Sequence, residues 1–281
     1  VPATAEAARD RAVAELHRLF DEEWERSLRE SPETAAYHGD HRYADRWTDM
    51  SLEAIARREA AEREALERLR RIDRNLLPPA EQLNYDTFLW LAERAVQRQR
   101  FREYLRPVDH QGGVQTADGL AEILPFASAA DYRNWIARME ALPVLVGQTT
   151  ALMREGMAAG SMPPRVLMQR VTGQIAAQVV DDPEASPFYR PFRKMPDGIP
   201  AAEQEALRAR AREVIATRVV PAYREFGRFF EQEYLPRARD SIAATDLPDG
   251  QAYYDFLAGW YTTTRLTAES TVLREQTEGL V

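Results

Sequence analysis

The sequence predicts an all-α fold, a multi-helix array of long antiparallel helices with Pro/Gly-rich connections. Apolar residues recur at the i, i+3, i+4, i+7 spacing of one helix face in nearly every segment between breaks. Proline and glycine separate those segments, and no stretch has the alternating period of a β-strand. We therefore expect roughly eight to ten helices, arranged as a single helical domain over residues 1–281.

The first third of the chain is predicted to form three amphipathic helices. Residues 5–31 form the first, and Pro32 ends it because proline cannot continue the helical hydrogen bonding. Ser51 caps a second helix through about Arg74, since a serine hydroxyl accepts from the free amides of a first turn. Pro78-Pro79 opens a third helix. The residues expected on the apolar faces are Val13, Leu16, Phe20, Trp24, Leu52, Ile55, Leu66, Leu69, Phe88, Leu89, Ala92 and Val96.

The central stretch Asp131–Val180 is predicted to form three consecutive helices around which the rest of the chain packs. Ser128 and Asp131 stand three apart, as in a capping box. Pro143 ends the first helix and opens the second, and Gly160 with the prolines after it ends the second. The apolar stripes are expected at Tyr132, Trp135, Ile136, Met139, Leu145, Thr149, Leu152, Met153, Val166, Leu167, Val171 and Ile175.

The last third is predicted to contain one long helix and an aromatic segment. The prolines at positions 183, 187, 191 and 196 keep residues 182–200 irregular. A helix follows over residues 201–234, and Pro221 should kink it. A turn at Leu247–Gly250 leads into aromatic residues at helical spacing, among them Trp260. Core packing is the default role for such aromatics, with a substrate-contacting wall as the alternative.

Composition predicts a soluble globular protein, with 44% hydrophobic and 29% charged residues. The net charge of −8 argues against a general nucleic-acid binder, which would present a basic face. The absence of cysteine excludes disulfides and thiolate chemistry without fixing the compartment. No run of about 18 apolar residues predicts a membrane span. The first residues carry neither an initiator methionine nor a signal sequence, which suggests a processed or artificial start.

The residues alone contain no complete catalytic site. The histidines are scattered at His17, His38, His41 and His110. His38 and His41 stand beside acidic residues in a spacing that could suit a metal, and that equally suits a hydrogen-bonded turn. There is no His-Glu-x-x-His helix, no Gly-x-Ser-x-Gly turn and no phosphate-binding glycine loop. We therefore predict no metal ligands and no cofactor in this chain.

Eight short stretches occur in an order that is typical of one known family. They are Ser31–Ala35 with Gly39-Asp40, Asp131–Arg138, Arg154–Gly160 with Pro163–Arg165, Ser186–Tyr189, Val220–Tyr223, Tyr234–Arg239, Leu247–Gly250 and Tyr261–Thr264. Together they resemble the bacterial family of unknown function DUF885. The resemblance implies zinc-dependent peptidases of the gluzincin type, longer than this chain, whose zinc motif lies in a C-terminal half that this sequence does not include.

On that resemblance, the chain is the N-terminal helical scaffold and substrate-channel half of a zinc metallopeptidase, inactive alone. Zinc is expected only in the C-terminal half, and a periplasmic, secreted or lipoprotein location is implied. The family pattern continues through Leu266–Glu269 and stops at Ser270–Arg274, as a frameshift, a cloning artefact or genuine divergence would produce. Two alternatives stay open: a stand-alone helical binding protein, and an enzyme with an unrecognised site at the His38/His41 loop.

Two polar stretches are candidates for lining a groove that holds an extended peptide. Their residues are His110, Gln111, Gly112, Gly113, Tyr261, Thr262 and Thr263. Gln111 offers a donor and an acceptor, and the paired glycines let another backbone come close. In the alternative interpretation the glycines only shape a turn and the threonines only cap a helix. Peptide is thus one expected partner, and a homo-oligomer contact through the aromatics around Trp260 is the other.

Overall fold

The computed structural model describes residues 2–265 and 267, and these residues form ten α-helices and no β-strand. The helices are α1 (Pro2–Glu30), α2 (Pro32–Tyr37), α3 (Leu52–Arg70), α4 (Pro79–Gln99), α5 (Ala129–Ala158), α6 (Arg165–Ala176), α7 (Arg190–Arg193), α8 (Ala201–Val214), α9 (Val220–Phe229) and α10 (Gly250–Thr262). The all-α prediction is confirmed. None of these helices combines the length and the low polarity of a membrane span.

Helices α1, α3 and α4 form an N-terminal bundle with a small core of its own. Ser51 caps α3 as predicted, accepting a hydrogen bond from the amide of Ala54 at 3.2 Å. Phe20 of α1 meets Phe88 of α4 with ring centroids 4.9 Å apart. The buried apolar residues of this core are Leu16, Leu19, Ala65, Leu69, Ile72, Leu77 and Tyr85.

Three residues that were predicted to lie on buried faces are exposed. Leu52 is 43% exposed and Val166 51% exposed, because each stands in the first turn of its helix, where few neighbours reach. Trp24 is 47% exposed and packs edge-on against the ring of His38 at 4.9 Å. Pro32, which ends α1, also opens the short helix α2.

Helix α5 runs without a break from Ala129 to Ala158, which corrects the predicted break at Pro143. A proline inside a helix removes a hydrogen bond and costs about 3 kcal/mol or more. Buried residues continue on both sides of Pro143, from Met139 to Thr149, as one stripe that packs against α8 and α9. Burying one large apolar side chain contributes about 1.5–3 kcal/mol. Several such side chains therefore outweigh the loss at the proline.

The long helix predicted over residues 201–234 is present, but its winding changes twice. A π-helical turn at Ile215–Val219 joins α8 to α9, and a second one at Phe230–Tyr234 follows α9. The first ends two residues before Pro221, whose missing N–H interrupts the α-helical hydrogen-bond ladder. The buried face of this helix includes Tyr223, Phe226, Phe230 and Tyr234. We call α5 to α9 with their connections the main core.

Helix α10 packs beside the N-terminal bundle. Trp260 stacks on Trp90 of α4, with ring centroids 5.4 Å apart. At its start Gly250 is in close contact with the preceding turn, since a Cβ there would lie 2.4 Å from the carbonyl oxygen of Thr245. The predicted departure from the family pattern at Ser270–Arg274 lies outside the described residues.

Candidate functional site

A cavity of about 560 Å³ opens between three parts of the chain that are distant in sequence. One wall is formed by residues 33–50, which include most of α2, and the second is the segment 107–122. The third wall is α5 at Leu145 and Thr149. We call this space the Gln111 cavity, because that candidate residue lies on it.

Asp109 fixes the turn that carries the candidate residues. Its Oδ1 accepts hydrogen bonds from the amides of Gln111 at 2.7 Å and Gly112 at 2.8 Å. Gly113 has a φ of +136°, and a Cβ on it would come within 2.6 Å of Gln115 Oε1. Both the backbone angle and the lack of space therefore require glycine at this position.

Buried glutamines attach this turn to α6. Gln115 is fully buried, and its Nε2 donates to the carbonyl oxygens of Asp109 at 2.8 Å and Gly112 at 3.0 Å and to Gln174 Oε1 at 3.2 Å. Just beyond α6, Gln178 donates to the carbonyl oxygen of Gln115 at 3.1 Å. The Oε1 atoms of Gln115 and Gln178 are buried and accept no hydrogen bond from the described residues. Each of these two oxygens is an unsatisfied buried acceptor, which typically costs about 1–3 kcal/mol.

Tyr223 ties the same segment to the main core. Its hydroxyl donates to the carbonyl oxygen of Val114 at 2.6 Å, and its side chain is fully buried. Burial raises the pKa of Tyr223 well above its usual value, because a phenolate would lose its hydration there. The hydroxyl therefore stays protonated and remains a donor.

The opposite wall of the Gln111 cavity is built on a buried arginine of α5. Arg138 is fully buried, and its guanidinium donates to the carbonyl oxygens of Ala44 at 2.6 Å and Tyr43 at 3.2 Å. It lies 4.8 Å from the ring centroid of Trp47, whose Nε1 donates to the carbonyl oxygen of Arg138 at 2.7 Å. Desolvation lowers the pKa of Arg138 to about 10, and nearby carboxylates oppose that shift. The guanidinium is therefore still charged at neutral pH, and it holds Trp47 in the wall.

Glu33 completes this wall. One carboxylate oxygen accepts from the amide of Thr48 at 3.1 Å, and the other accepts from the hydroxyl of Thr48 at 2.5 Å. Two donors from one residue fix the plane of the carboxylate. A carboxylate can accept more than two hydrogen bonds, so capacity for a ligand donor remains.

A second cavity, of about 310 Å³, shares one lining residue, Met50, with the first. We call it the Trp260 cavity, because Trp260 of α10 forms part of its wall. Arg102 also lines it and has a φ of +46°, a left-handed conformation that is uncommon outside glycine. Such strain is frequent at ligand sites.

The first candidate stretch lies at the Gln111 cavity. Gln111 is exposed, and Gln111 and Gly113 line the space. Gly112 is held in the turn by Asp109. His110 does not line this cavity. Its carbonyl oxygen accepts a hydrogen bond from Gln174, and its Nδ1 is buried without a hydrogen-bond partner in the described chain.

The second candidate stretch ends α10, directly after Trp260. Tyr261 is 78% exposed, and Thr262 bonds back to the carbonyl oxygen of Ala258 at 2.6 Å. Thr263 has a φ of +54°, which is strained for a β-branched residue. A groove shared by both stretches stays a prediction, as does an oligomer contact at Trp260, which here is stacked on α4.

None of the histidines lines these two cavities. Among the described residues, no three histidine or carboxylate side chains are placed to hold a metal ion. In the loop offered as an alternative site, His38 packs on Trp24. His17 forms a contact of 3.0 Å with Glu81 on the N-terminal bundle.

Sequence reasoning missed the wall opposite Gln111. The missed residues are Glu33, Trp47, Thr48, Met50 and Arg138. Glu33 and Arg138 belong to stretches that carry the family resemblance, and that was the only available signal. Nothing in the spacing along the chain indicated that residues 33–50 and α5 would meet.

Comparisons with known proteins agree with this architecture. The family model described as "Bacterial protein of unknown function (DUF885)" matches residues 32–277. A crystal structure reported as "the putative lipoprotein from Colwellia psychrerythraea" superposes with a TM-score of 0.80 at 16% sequence identity. The match covers 91% of this chain and 47% of that one, so this chain spans about half the length of the solved protein. No curated protein matches the chain significantly.

Proposed function

This chain belongs to the DUF885 family of bacterial proteins of unknown function, and on that premise we propose that it is the helical half of a larger zinc-peptidase-like protein. In this proposal it lines the substrate channel and holds an extended peptide, while the zinc ligands lie in the other half. Its location would be periplasmic, secreted or lipoprotein-anchored, and the wording used for the structural neighbour supports that placement.

The observation that carries the proposal is the shared wall at Met50. Met50 is a lining residue of both the Gln111 cavity and the Trp260 cavity, and we infer that the two spaces act as one groove. Their volumes are about 560 and 310 Å³, within the range of ligand sites, and together they offer room for a few residues of extended chain.

The chemistry of the groove fits peptide backbone. Gln111 can donate to a carbonyl oxygen and accept from an amide, and Gly113 presents bare backbone beside it. Thr48 and Thr116 add hydroxyl groups to the same cavity. The spread of polar groups along an otherwise apolar wall is typical of sites that read a backbone and accept varied side chains.

Peptide binding by this chain tests the proposal. We would titrate the chain into neutral, blocked pentapeptides that carry a C-terminal fluorophore and measure fluorescence polarisation. Saturable binding is expected, and Gln111→Ala should weaken it about 5- to 10-fold, the value of roughly one hydrogen bond. The matched control is Gln232→Ala, an exposed glutamine on another cavity, between α5 and α9.

Two results would overturn the proposal. One is the absence of saturable binding to any of the peptides. The other is zinc-dependent hydrolysis of peptides by this chain alone, which would mean that the chain carries its own catalytic centre.

A further inference from the structure

Apolar side chains come from all three walls of the Gln111 cavity. The lining residues of this kind include Trp47, Met50, Val114, Ala117, Leu120 and Leu145. Val114 and Leu120 are buried, whereas the other four are half-buried. A half-buried apolar side chain on a cavity wall still has surface that a ligand can remove from water, and that removal is favourable.

The hydroxyl groups on this cavity already have acceptors within its walls. Thr48 donates its hydroxyl to Glu33 at 2.5 Å, and Thr116 donates to the carbonyl oxygen of Gly113 at 3.1 Å. A ligand gains little from a polar group whose hydrogen bond would first have to be broken. The favourable surface that these walls offer a side chain is therefore mainly apolar.

The charges on this cavity are already balanced. Within the described chain its charged lining residues are Glu33 and Glu122. Glu122 is paired with Arg190 at 2.8 Å. Burial lowers the pKa of Arg138 and Glu33 opposes that shift, so the buried guanidinium is the counter-charge of Glu33.

A charged ligand would disturb this balance. The Nη1 of Arg138 is buried without a hydrogen-bond partner among the described residues, so this wall already contains a cation that lacks an acceptor. A cationic ligand would add a second positive charge there, and an acidic one would add a carboxylate beside Glu33 and Glu122. Taking an unpaired charge out of water is costly, and the cavity therefore favours a neutral ligand.

We propose that the Gln111 cavity is a side-chain pocket that takes a large, uncharged apolar residue of a bound peptide, such as leucine or phenylalanine. This rests on the proposed peptide-binding function and names the substrate class of the same groove. Gln111 and Gly113 contact the backbone of the peptide, while Trp47 and Leu145 contact the side chain. The volume of about 560 Å³ is within the range of ligand sites.

The test uses the unaltered chain and five blocked pentapeptides with a C-terminal fluorophore. They differ only in the central residue, which is leucine, alanine, asparagine, aspartate or lysine. Asparagine has nearly the shape of leucine without its apolar surface. The leucine peptide should bind about 10- to 100-fold more tightly than the asparagine peptide, the effect of burying one large apolar side chain. The aspartate and lysine peptides should bind no better than the asparagine peptide.

Variants then show which cavity holds the apolar side chain, because a second apolar groove of about 690 Å³ lies between α1 and α4, where Leu91 is a lining residue. Ala117→Leu adds bulk to the Gln111 cavity. It should weaken the leucine peptide about 10-fold and change the alanine peptide less than about 2-fold. The matched control is Leu91→Ala, which should leave both affinities unchanged.

The outcomes are distinct. Equal binding of the leucine and asparagine peptides overturns the side-chain pocket and leaves the proposed function standing. Tighter binding of the aspartate or lysine peptide than of the leucine peptide also overturns it. If Leu91→Ala removes the preference for leucine, the apolar contact lies between α1 and α4 and the proposal is wrong. Failure of every peptide to bind overturns both proposals. The peptide series and Leu91→Ala decide the matter even if Ala117→Leu does not fold.

Discussion

The apolar residues of the N-terminal bundle and of the main core follow the same helical spacing, but very different fractions of the helices are buried. Helix α4 buries only Tyr85 among its 21 residues, while α5 buries eleven of 30. Exposed ion pairs such as Arg74–Asp86 surround α4, and pairs of this kind contribute about 0–1 kcal/mol each. Apolar spacing therefore predicts which face of a helix can be buried, whereas the number of neighbouring elements decides how much of that face is buried.

The cavities lie where these two regions meet. The Gln111 cavity is backed by α5 of the main core, and the Trp260 cavity lies against α3 and α4 of the bundle. The Gln111 cavity is therefore supported by a densely packed core and the Trp260 cavity by a thin one. We expect the walls of the Gln111 cavity to be rigid and those of the Trp260 cavity to be more adaptable.

The largest effect is expected in the main core, for Trp135→Ala. Trp135 is fully buried, stacks on Phe188 at 5.5 Å and donates to its carbonyl oxygen at 3.0 Å. Removing this side chain should lower the free energy of unfolding by about 3–5 kcal/mol, from lost burial and the cavity left behind. Urea denaturation followed by circular dichroism measures it. A loss below about 1 kcal/mol would show that the main core is no better packed than the bundle.

A smaller effect is expected in the bundle, for Leu69→Ala. Leu69 is fully buried, but its core has few members and can partly collapse around the gap. We expect a loss of about 2–3 kcal/mol, the lower part of the range for such substitutions. If the bundle unfolds separately, the loss should appear in an early transition and leave the main one in place. Leu91→Ala, at a residue 44% exposed on α4, is the control.

Gly113→Ala tests the packing of the turn at the boundary between the N-terminal bundle and the main core. The new Cβ would meet Gln115 Oε1 at 2.6 Å, and the amide of Gln115 is held by its hydrogen bonds. We expect a loss of about 1–3 kcal/mol, because the backbone at +136° is unfavourable for alanine and the turn has to shift. Peptide binding should fall as well. Gly112→Ala, with no atom near its Cβ position, is the control and should be milder. Equal stability of both variants and the parent would contradict the described turn.

The smallest effect has the opposite sign and concerns the end of α10. Thr263 has a φ of +54°, which a glycine adopts without strain. Thr263→Gly should raise the free energy of unfolding by about 0.5–1 kcal/mol, seen as a small rise in Tm. If the hydroxyl of Thr263 contacts peptide, binding should weaken while stability rises. A fall in stability would mean that the threonine side chain has a partner worth more than the strain.

Helix positions could be predicted from the sequence because local chemistry sets them. The Asp131 carboxylate accepts from the amide of Ser128 at 2.8 Å, as the capping spacing indicated. The continuity of α5 through Pro143 could not be predicted from the sequence, since it depends on the packing of α8 and α9 against both halves of the helix. The π-helical turns were missed for the same reason, because the core they serve is assembled from distant segments.

The sequence indicated only one of the walls that surround the Gln111 cavity. The polar turn at Gln111 stands out in the sequence because glycines and polar residues interrupt an apolar pattern. The wall formed by Trp47 and Arg138 does not, because an arginine in an amphipathic helix is normally exposed. Its burial follows from the carbonyl oxygens of residues 43 and 44, which come from a loop more than 90 positions away.

The π-helical turns on either side of α9 also determine where the chain can change in length. A π-helical turn holds one residue more than an α-helical turn, so a single deletion inside Ile215–Val219 can be absorbed by returning to α-helical winding. A single deletion inside α9 cannot be absorbed, and everything on one side of it turns by roughly 100° about the axis. Tyr223 would then leave the carbonyl oxygen of Val114, and this wall of the Gln111 cavity would lose its anchor. Length variation among natural relatives should therefore concentrate in the π-helical turns and avoid α9.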